Sequence, residues 1–418
     1  MLSRLYRYGP TRQLVGKGYV VASQRAGRRP EDIVTSLFAS SPLGPPATPP
    51  LIRALRREKA TPTALYLESG LVWMHTRRQR DSHFHTLQEL TRILVDEVKR
   101  RGGTLLPNAV RIDSRQPITS VLCGDMHIVE AADPIEQATY CNLLRFHLPE
   151  LIALTCRASA SPDSVESLGS RRLSHSRRHF PARHFESVNK KYLDLLRSPW
   201  RRDAGVVSLD LLDINPCMRS GTGHVGLRVI DGQIQWASVR AHAMLVQALL
   251  IRARRMSREG RSVPCVPQEV LERNRARVIA AGLSAKIEST EGWSRSVRGA
   301  VIELLEDLSE EFQALEAEYD ELAPLLIGPA LRQMGRSAVQ NESELLRTIR
   351  RQCEPGEFIQ RIERLILRAT PADADELLVV NEQLSPVPAS LIRHRWKVLL
   401  GEGEAGVTGD PAAEQVPP

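Results

Sequence analysis

The chain reads as an α+β protein, and three observations predict it. Segments rich in branched and aromatic residues, or alternating apolar with polar, concentrate in the first half of the sequence. From Ala237 onward the apolar residues recur almost entirely at helical spacing. The strand-like segments are linked by turns or single helices with no recurring strand–helix–strand unit, which favours an antiparallel or mixed sheet over a parallel one.

Taken in order, residues 1–60 are rich in Pro and Arg and form a partly ordered N-terminal segment. It holds a strand over Val15 to Ala22, a short helix from Arg29 and the breaker run SSPLGPPATPP. A single domain is expected over 61–400, with its ordered body starting near Thr63. ALYLESGLVWMHT reads as one strand. Thr86 caps the next helix, with Glu89 as its capping-box partner, and that helix ends at Gly102-Gly103. TLLPNAVRI and SVLCGDMHIV are strands, and Ile135 to Cys156 is helical with a break near Pro149. Residues 157–182 make a loop of Ser, Arg and His, followed by a helix from Phe185 to Arg197. VVSLDLLDINP and HVGLRVIDGQIQ are strands joined by a turn over Cys217 to Gly223. The acidic run LEDLSEEFQALEAEYDEL reads as the solvated face of an amphipathic helix, and 401–418 as a disordered tail.

Composition narrows the function classes. The formal net charge is +8 and Arg clusters occur at Arg171-Arg172, Arg177-Arg178, Arg252 to Arg258 and Arg347 to Arg351. Nucleic acid is one partner such clusters suit. No helix-turn-helix, finger or basic-aromatic platform accompanies them, so an Arg-rich coding bias or a site for phosphorylated small molecules explains them at least as well. The six cysteines form no CxxC pair, which argues against a zinc ribbon or disulfide framework and suits a reducing cytosol. No apolar run reaches membrane-spanning length, and the start lacks the apolar block of a secretory signal. A cytoplasmic protein without membrane contact is expected; a transit peptide, which the basic start would also suit, is the weaker reading.

Two segments carry the chemistry. In CGDMHIVEAADP, Asp125 and His127 sit two apart and so share a strand face. A carboxylate and an imidazole together can hold a divalent metal or manage a proton, the plain alternative being a solvated strand end. In DINPCMRSGTGHVGLRVID, a continuous strand would put His224, Gly226, Arg228 and Ile230 on one face and Val225, Leu227 and Val229 on an apolar one. Arg228 is costly there unless it meets an anion or a structural carboxylate, and Gly226 leaves room for a ligand to approach. His83 and His85 read as a surface loop, and His175, His179 and His184 as part of an anion pocket or a wet surface.

The succession GDMHIVEAADPIEQATYCNLLRFHLPELIALTCRAS, the Ser/Arg loop, DINP…HVGLRVID, ASVRAHAMLVQALL and LERNRARVIAAGLSAKI resembles the type-2 glutamate–cysteine ligase family of ATP-dependent carboxylate–amine ligases over roughly residues 63–340. The resemblance implies a glutamine-synthetase-like cradle: an antiparallel sheet backed by helices, whose carboxylates hold divalent metals bridging the phosphates of ATP. It implies phosphorylation of a substrate carboxylate and displacement of the phosphate by an amine.

Carried over residue by residue, the family's paired histidines fall on Asp125 and His127, and an early-strand Glu on Glu68. These three are the implied metal ligands. The Thr-x-Glu-x-Arg strand falls on His224, Gly226 and Arg228, so the Arg is kept and the metal-binding Glu is a glycine. The Ser-x-Arg of the phosphate-side loop falls on Ser174 or Ser176 and Arg177. Arg228 and Arg177 are thus the expected catalytic arginines, with Ser176 and His224 at the nucleotide. The opening Glu-x-Glu strand falls near VGKGYVV, with Lys17 and Gly18 where carboxylates would stand.

Two readings follow. One is a ligase using ATP and Mg2+ on small-molecule carboxylate and amine substrates, with other acids such as Glu130 or Asp210 recruited or the chemistry altered. The other is a degenerate member acting through binding or assembly. A homo-oligomer is compatible with either, and a basic nucleic-acid binder is the third and weakest reading.

Overall fold

A computed structural model describes residues 13–23, 32–33, 36–37, 64–68, 71–75, 82–107, 124–156, 169–175, 184–186, 212–219, 222–233, 236–330 and 389–402. Seven strands form one antiparallel sheet: β1 (Gln13–Ser23), β2 (Ala64–Glu68), β3 (Leu71–His75), β4 (Gly103–Pro107), β5 (Met126–Ala131), β6 (Ile214–Arg219) and β7 (Thr222–Leu227). Their order is β2-β3-β1-β5-β7-β6, with β4 also paired to β1.

Strand β1 organises the sheet. Gly16 to Val20 pair with β3, while Gln13 to Gly16 pair with β5 and Tyr19 to Ser23 pair with β4. Gly16, Tyr19 and Val20 each have two partners, so β4 and β5 share the edge opposite β3 and leave Lys17 and Gly18 between them. Val15, Lys17, Tyr19 and Val21 alternate along β1 as buried residues on one face.

The helices are α1 (Ser82–Arg100), α2 (Pro134–Phe146), α3 (Leu148–Thr155), α4 (Arg171–His175), α5 (Trp236–Arg258), α6 (Gln268–Ala281), α7 (Val297–Asp307), α8 (Ser309–Ala314), α9 (Tyr319–Ala330) and α10 (Ala389–Leu400). Asp133 caps α2 by accepting from the backbone N–H groups of Ile135 and Glu136, each at 2.8 Å, and Pro134 follows at the first helical position. Helices α1, α2 and α5 reach the same sheet face. Thr91 bonds Tyr19 at 3.0 Å, Gln137 Nε2 donates to the His224 carbonyl at 2.8 Å, and Gln247 donates to Gln13 at 3.0 Å. Val129, Val225, Leu227 and Ile214 join Leu245, Leu249 and Leu144 in the core on that side.

Several expectations are corrected. ALYLESGLVWMHT is a hairpin, β2–β3, because the chain reverses between Glu68 and Leu71. Thr86 lies inside α1, which begins at Ser82, and His83 and His85 lie in that helix instead of a loop. The turn after β6 is tighter than Cys217 to Gly223, since Cys217 pairs with His224 and Met218 with Gly223. The second half is not purely helical: β8 (Lys286–Glu288) and β9 (Ser294–Ser296) form a small hairpin. The acidic run spans α7, α8 and the start of α9, and Glu311 within it is fully buried between Arg252 and Arg255. Phe185 is irregular backbone, fixed by Asn142, whose side chain bonds both its N–H and its carbonyl at 2.8 Å. The rest of that expected helix, the early helix from Arg29 apart from 32–33 and 36–37, and 403–418 lie outside the described residues. No described helix is long and apolar enough to cross a membrane.

One close approach tests this arrangement. Gly124 bridges to Asp231, and a Cβ on it would lie 2.0 Å from the Ile230 carbonyl oxygen and 2.9 Å from Arg172 Cζ. Gly124→Ala is expected to lower the unfolding free energy by about 2–4 kcal/mol, because backbone must move to admit the methyl. Gly226→Ala, whose Cβ would meet neighbours no closer than 3.7 Å, should cost less than about 1 kcal/mol. Urea unfolding of both variants decides it; equal losses would refute the assignment.

Candidate functional site

Register determines which side chains share a face. His127 stands opposite Leu227 and Val129 opposite Val225, so the odd residues of β5 and β7 lie on the helix-backed face. Ile128 stands opposite Gly226 and Glu130 opposite His224, and β6 adds Asn215 opposite Gly226 and Cys217 opposite His224. These residues belong to the far face, away from α1, α2 and α5. Glu130, His224 and Ile128 are partly exposed there, and Asn215 is buried. Directly opposed residues have Cβ atoms about 5 Å apart, so the Glu130 carboxylate and His224 imidazole are near neighbours. A Cβ on Gly226 would meet Asn215 and Ile128 at 3.7–3.8 Å, which places it on this face with space for a side chain.

Asp125 and His127 share a face as their spacing predicts, but it is the helix-backed one. Asp125 is 1% exposed and His127 is fully buried. Asp125 Oδ2 accepts from the Gln233 N–H at 3.0 Å, and Lys17, next in register across β1, donates Nζ to the Gln233 carbonyl. Lys17 also lies 5.0 Å from the Trp236 ring centroid and 5.7 Å from that of Tyr19. Burial pushes the Asp125 carboxyl up to about 6, with Lys17 and the Gln233 N–H acting against it. His127 Nδ1 lies 3.2 Å from Gln13 Nε2, and burial lowers the imidazole to about 3, so it is neutral.

Around this pair runs a chain of buried charges. Asp231 accepts from Arg172 Nε at 2.8 Å and from the Ser170 hydroxyl at 2.9 Å, and Arg172 Nη2 donates to the Arg228 carbonyl at 3.0 Å. Arg228 N–H donates to the Asp213 carbonyl at 2.9 Å. The Asp213 carboxylate takes a two-point contact from Arg275 at 2.5 and 3.0 Å. Gln233 Nε2 donates to the carbonyls of Thr155 and Asp231.

The other expected site residues are dispersed. Strand β7 ends at Leu227, so Arg228 is not mid-strand and the expected run to Ile230 stops short; Arg228 is half-buried one step beyond the ladder. Glu68 ends β2, three inter-strand steps from β5, or about 14 Å at the usual strand spacing, so it and Asp125 do not share one ion. Lys17 and Gly18, being adjacent, lie on opposite faces, and Lys17 is inside. Ser174 is exposed on α4, whereas Ser176, Arg177, His179 and Asp210 lie outside the described residues. His184 contacts Asn142 at 3.5 Å, and its pKa is lowered by burial and then by Arg145.

Arg172, Asp231 and Gln233 were not singled out from the sequence. Asp231 and Gln233 are polar within an otherwise apolar stretch. Arg172 belongs to an Arg cluster in the expected polar loop, where the structure has a short helix with Arg172 and Leu173 buried. Each reads equally well as surface. The arginine cluster of α5 is turned inward on the protein's own acids: Arg252 and Arg255 on Glu311, Arg254 on Glu136. That reduces the charge available to nucleic acid.

Among the described residues, no group of three or more His, Cys, Asp or Glu converges as a metal shell. Mg2+ takes oxygen ligands, commonly one or two carboxylates with phosphate oxygens and waters. Along β5, β6 and β7 the far face offers Glu130 as the one carboxylate among the described residues, with an imidazole opposite, while Glu68 lies by register at the distant β2 edge. This donor set does not make a magnesium cage, and no chemical step is derived through the metal.

Three solved structures share the fold. The complex of the prokaryotic ubiquitin-like protein Pup and its ligase PafA aligns with a TM-score of 0.51 at 13% identity, over 94% of this chain and 84% of that one. Glutamate–cysteine ligase of Francisella tularensis in complex with AMP aligns at 0.53 and 11% identity, over 94% and 99%. A bifunctional glutathione synthetase of Pasteurella multocida aligns at 0.50 and 12% identity, over 96% of this chain and 56% of that one. No protein-family model and no curated protein matches. At these identities the likeness is one of fold.

The buried pair gives stability opposite pH dependences. His127 binds its proton near pH 6.5 when unfolded but near 3 when folded, so its contribution is lost as pH falls below about 6.5. Asp125 is raised, so its contribution is present below about pH 4 and is lost as pH rises through 6. His127→Asn should flatten the fall in stability between pH 6 and 4 by up to about 1.4 kcal/mol per pH unit, and Asp125→Asn should steepen it. Urea titrations across that range measure both slopes, and unchanged slopes would contradict the burial argument.

Proposed function

We propose that the chain is an ATP-dependent carboxylate–amine ligase whose nucleotide and substrates meet on the far face of the sheet. The observation that supports this reading is architectural: one seven-stranded antiparallel sheet, backed by α1, α2 and α5 on one face, aligning over 94–96% of the chain with three ligases or synthetases. The F. tularensis enzyme holds AMP in its structure. The reaction class activates a carboxylate by transfer of the γ-phosphoryl group of ATP and lets an amine displace phosphate. In this reading Glu130 and His224 face the nucleotide, and Arg228 neutralises charge on the transferring phosphoryl group or the substrate carboxylate. Arg177 and Ser176 belong to the phosphate side and Glu68 to the outer edge, as the family resemblance implies. Small carboxylates and amines are the leading substrates; a protein acceptor or donor is the variant that the Pup–PafA complex brings in.

A second reading has its own observation. Gly226 stands where the resemblance expects a metal-binding glutamate, and no three-ligand cluster replaces it among the described residues. Under this reading the far face binds a nucleotide or partner without turnover.

Purified protein incubated with ATP, magnesium, glutamate and a panel of amines should release ADP and phosphate only when carboxylate and amine are both present. Arg228→Ala should lower that rate about 100-fold, the usual loss for one charge-stabilising group, and Glu130→Gln at least about tenfold. Absence of ADP and phosphate with every acceptor, together with no ATP binding by calorimetry, overturns the ligase reading. Gly226→Glu separates the two: a gain in nucleotide affinity marks a lost ligand, and a loss marks a wild-type site built on other acids.

A further inference from the structure

The strongest unassigned feature is the pair of buried arginine–carboxylate contacts that converge on the backbone of one residue. Arg228 has its N–H on the Asp213 carbonyl and its carbonyl on Arg172 Nη2. Asp213 is held by Arg275 from α6, and Arg172 from α4 is held by Asp231. All four side chains are at most 12% exposed. Arg228 therefore sits one residue past the end of β7, where its N–H makes the next bond of the β6–β7 register and its carbonyl is held by the Arg172 side chain.

Burying two ion pairs is costly, and apolar residues of similar volume often stabilise a fold as well or better. What charged pairs add is direction. The Arg172 guanidinium makes two differently aimed contacts from one rigid plane, Nε to Asp231 and Nη2 to Arg228, and Gly124 leaves space for it by lacking a Cβ. Ser170 holds the same Asp231 oxygen and also accepts from the Leu173 N–H, tying the start of α4 to the clamp.

We propose that Arg172 and Asp231 are positioning residues that set the Arg228 backbone, so that its guanidinium meets the anionic group of the bound substrate at the end of β7. The proposal rests on the ligase reading and extends it, since it assigns a role to side chains that touch neither nucleotide nor substrate. Arg172 acts through Arg228, as a support whose loss degrades placement without removing the reacting group.

The test is a double-mutant cycle on the full chain, with ATP-dependent phosphate release as readout. Arg172→Lys keeps the charge but loses the fork, and Asp231→Asn keeps an acceptor oxygen. Each should lower kcat about tenfold or more in the wild-type background with the KM for ATP changed less than about threefold. In an Arg228→Ala background, neither should lower kcat further, because the group being positioned is gone. Equal losses in both backgrounds would mean general structural damage and overturn the clamp while leaving the ligase reading intact. A wild type with no ATP-dependent turnover overturns both. Amide hydrogen exchange gives a second readout: Arg172→Lys should raise exchange in residues 228–231 selectively, and unchanged protection there refutes the clamp whatever the activity.

Discussion

The structure depends on a single positive charge at its centre. Lys17 lies on the helix-backed face of the strand that β3, β4 and β5 all pair with, and none of it reaches solvent. An ammonium in that position costs several kcal/mol if left alone. It is compensated from three directions: the Gln233 carbonyl, the faces of Trp236 and Tyr19, and the field of Asp125 across the strand pair. The partners come from three segments, so meeting the charge brings together β1, the lead-in to β5 and the entry of α5. The gap on the β1 edge between β4 and β5 is where this happens.

From that centre one polar chain runs outward toward Arg228. Asp125 reaches Gln233, Gln233 reaches Asp231 and Thr155, Asp231 reaches Arg172, and Arg172 reaches Arg228. The helix side of the sheet thus carries charges that hold backbone, while Glu130 and His224 sit on the other side. A reactive group is best placed when its own support is rigid and separate from it. On the proposed reading, the division of labour between the two faces follows from strand alternation, since adjacent residues of β5 serve opposite sides.

Much of the scaffold was legible in the sequence, and the reasons are local. Strand β1, the α1 stop at Gly102-Gly103 and the buried Val225 and Leu227 all follow from alternation or capping, which neighbours in sequence determine. The site was legible only up to a twofold ambiguity. A spacing of two places Asp125 and His127 on one face, but which face is buried depends on helices more than a hundred residues away, such as Gln247 beneath Gln13. Lys17 shows the same limit, because a lone lysine in a strand reads as a solvent-facing residue until its distant partners are known. Glu311 misled for the converse reason: its acidic neighbours are exposed, and only the arginines of α5 reveal it as interior.

Among the described residues, the far face around β5 and β7 carries few carboxylates. Gly226 stands between Ile128 and Asn215, and Gly16 pairs with Met126 in the next row, so much of this surface is backbone, apolar or amide. A surface of this kind holds phosphate poorly by carboxylate–metal bridging, since it brings few anionic ligands, but it also repels phosphate little. A polyphosphate next to Arg228 would need less metal neutralisation than one facing a ring of acids. On the proposed reading, few carboxylates and an arginine with a held backbone are two parts of one electrostatic arrangement. Charge stabilisation in the proposed ligase reading rests on an arginine whose backbone is held by Arg172, itself paired with Asp231, and by Asp213, itself paired with Arg275.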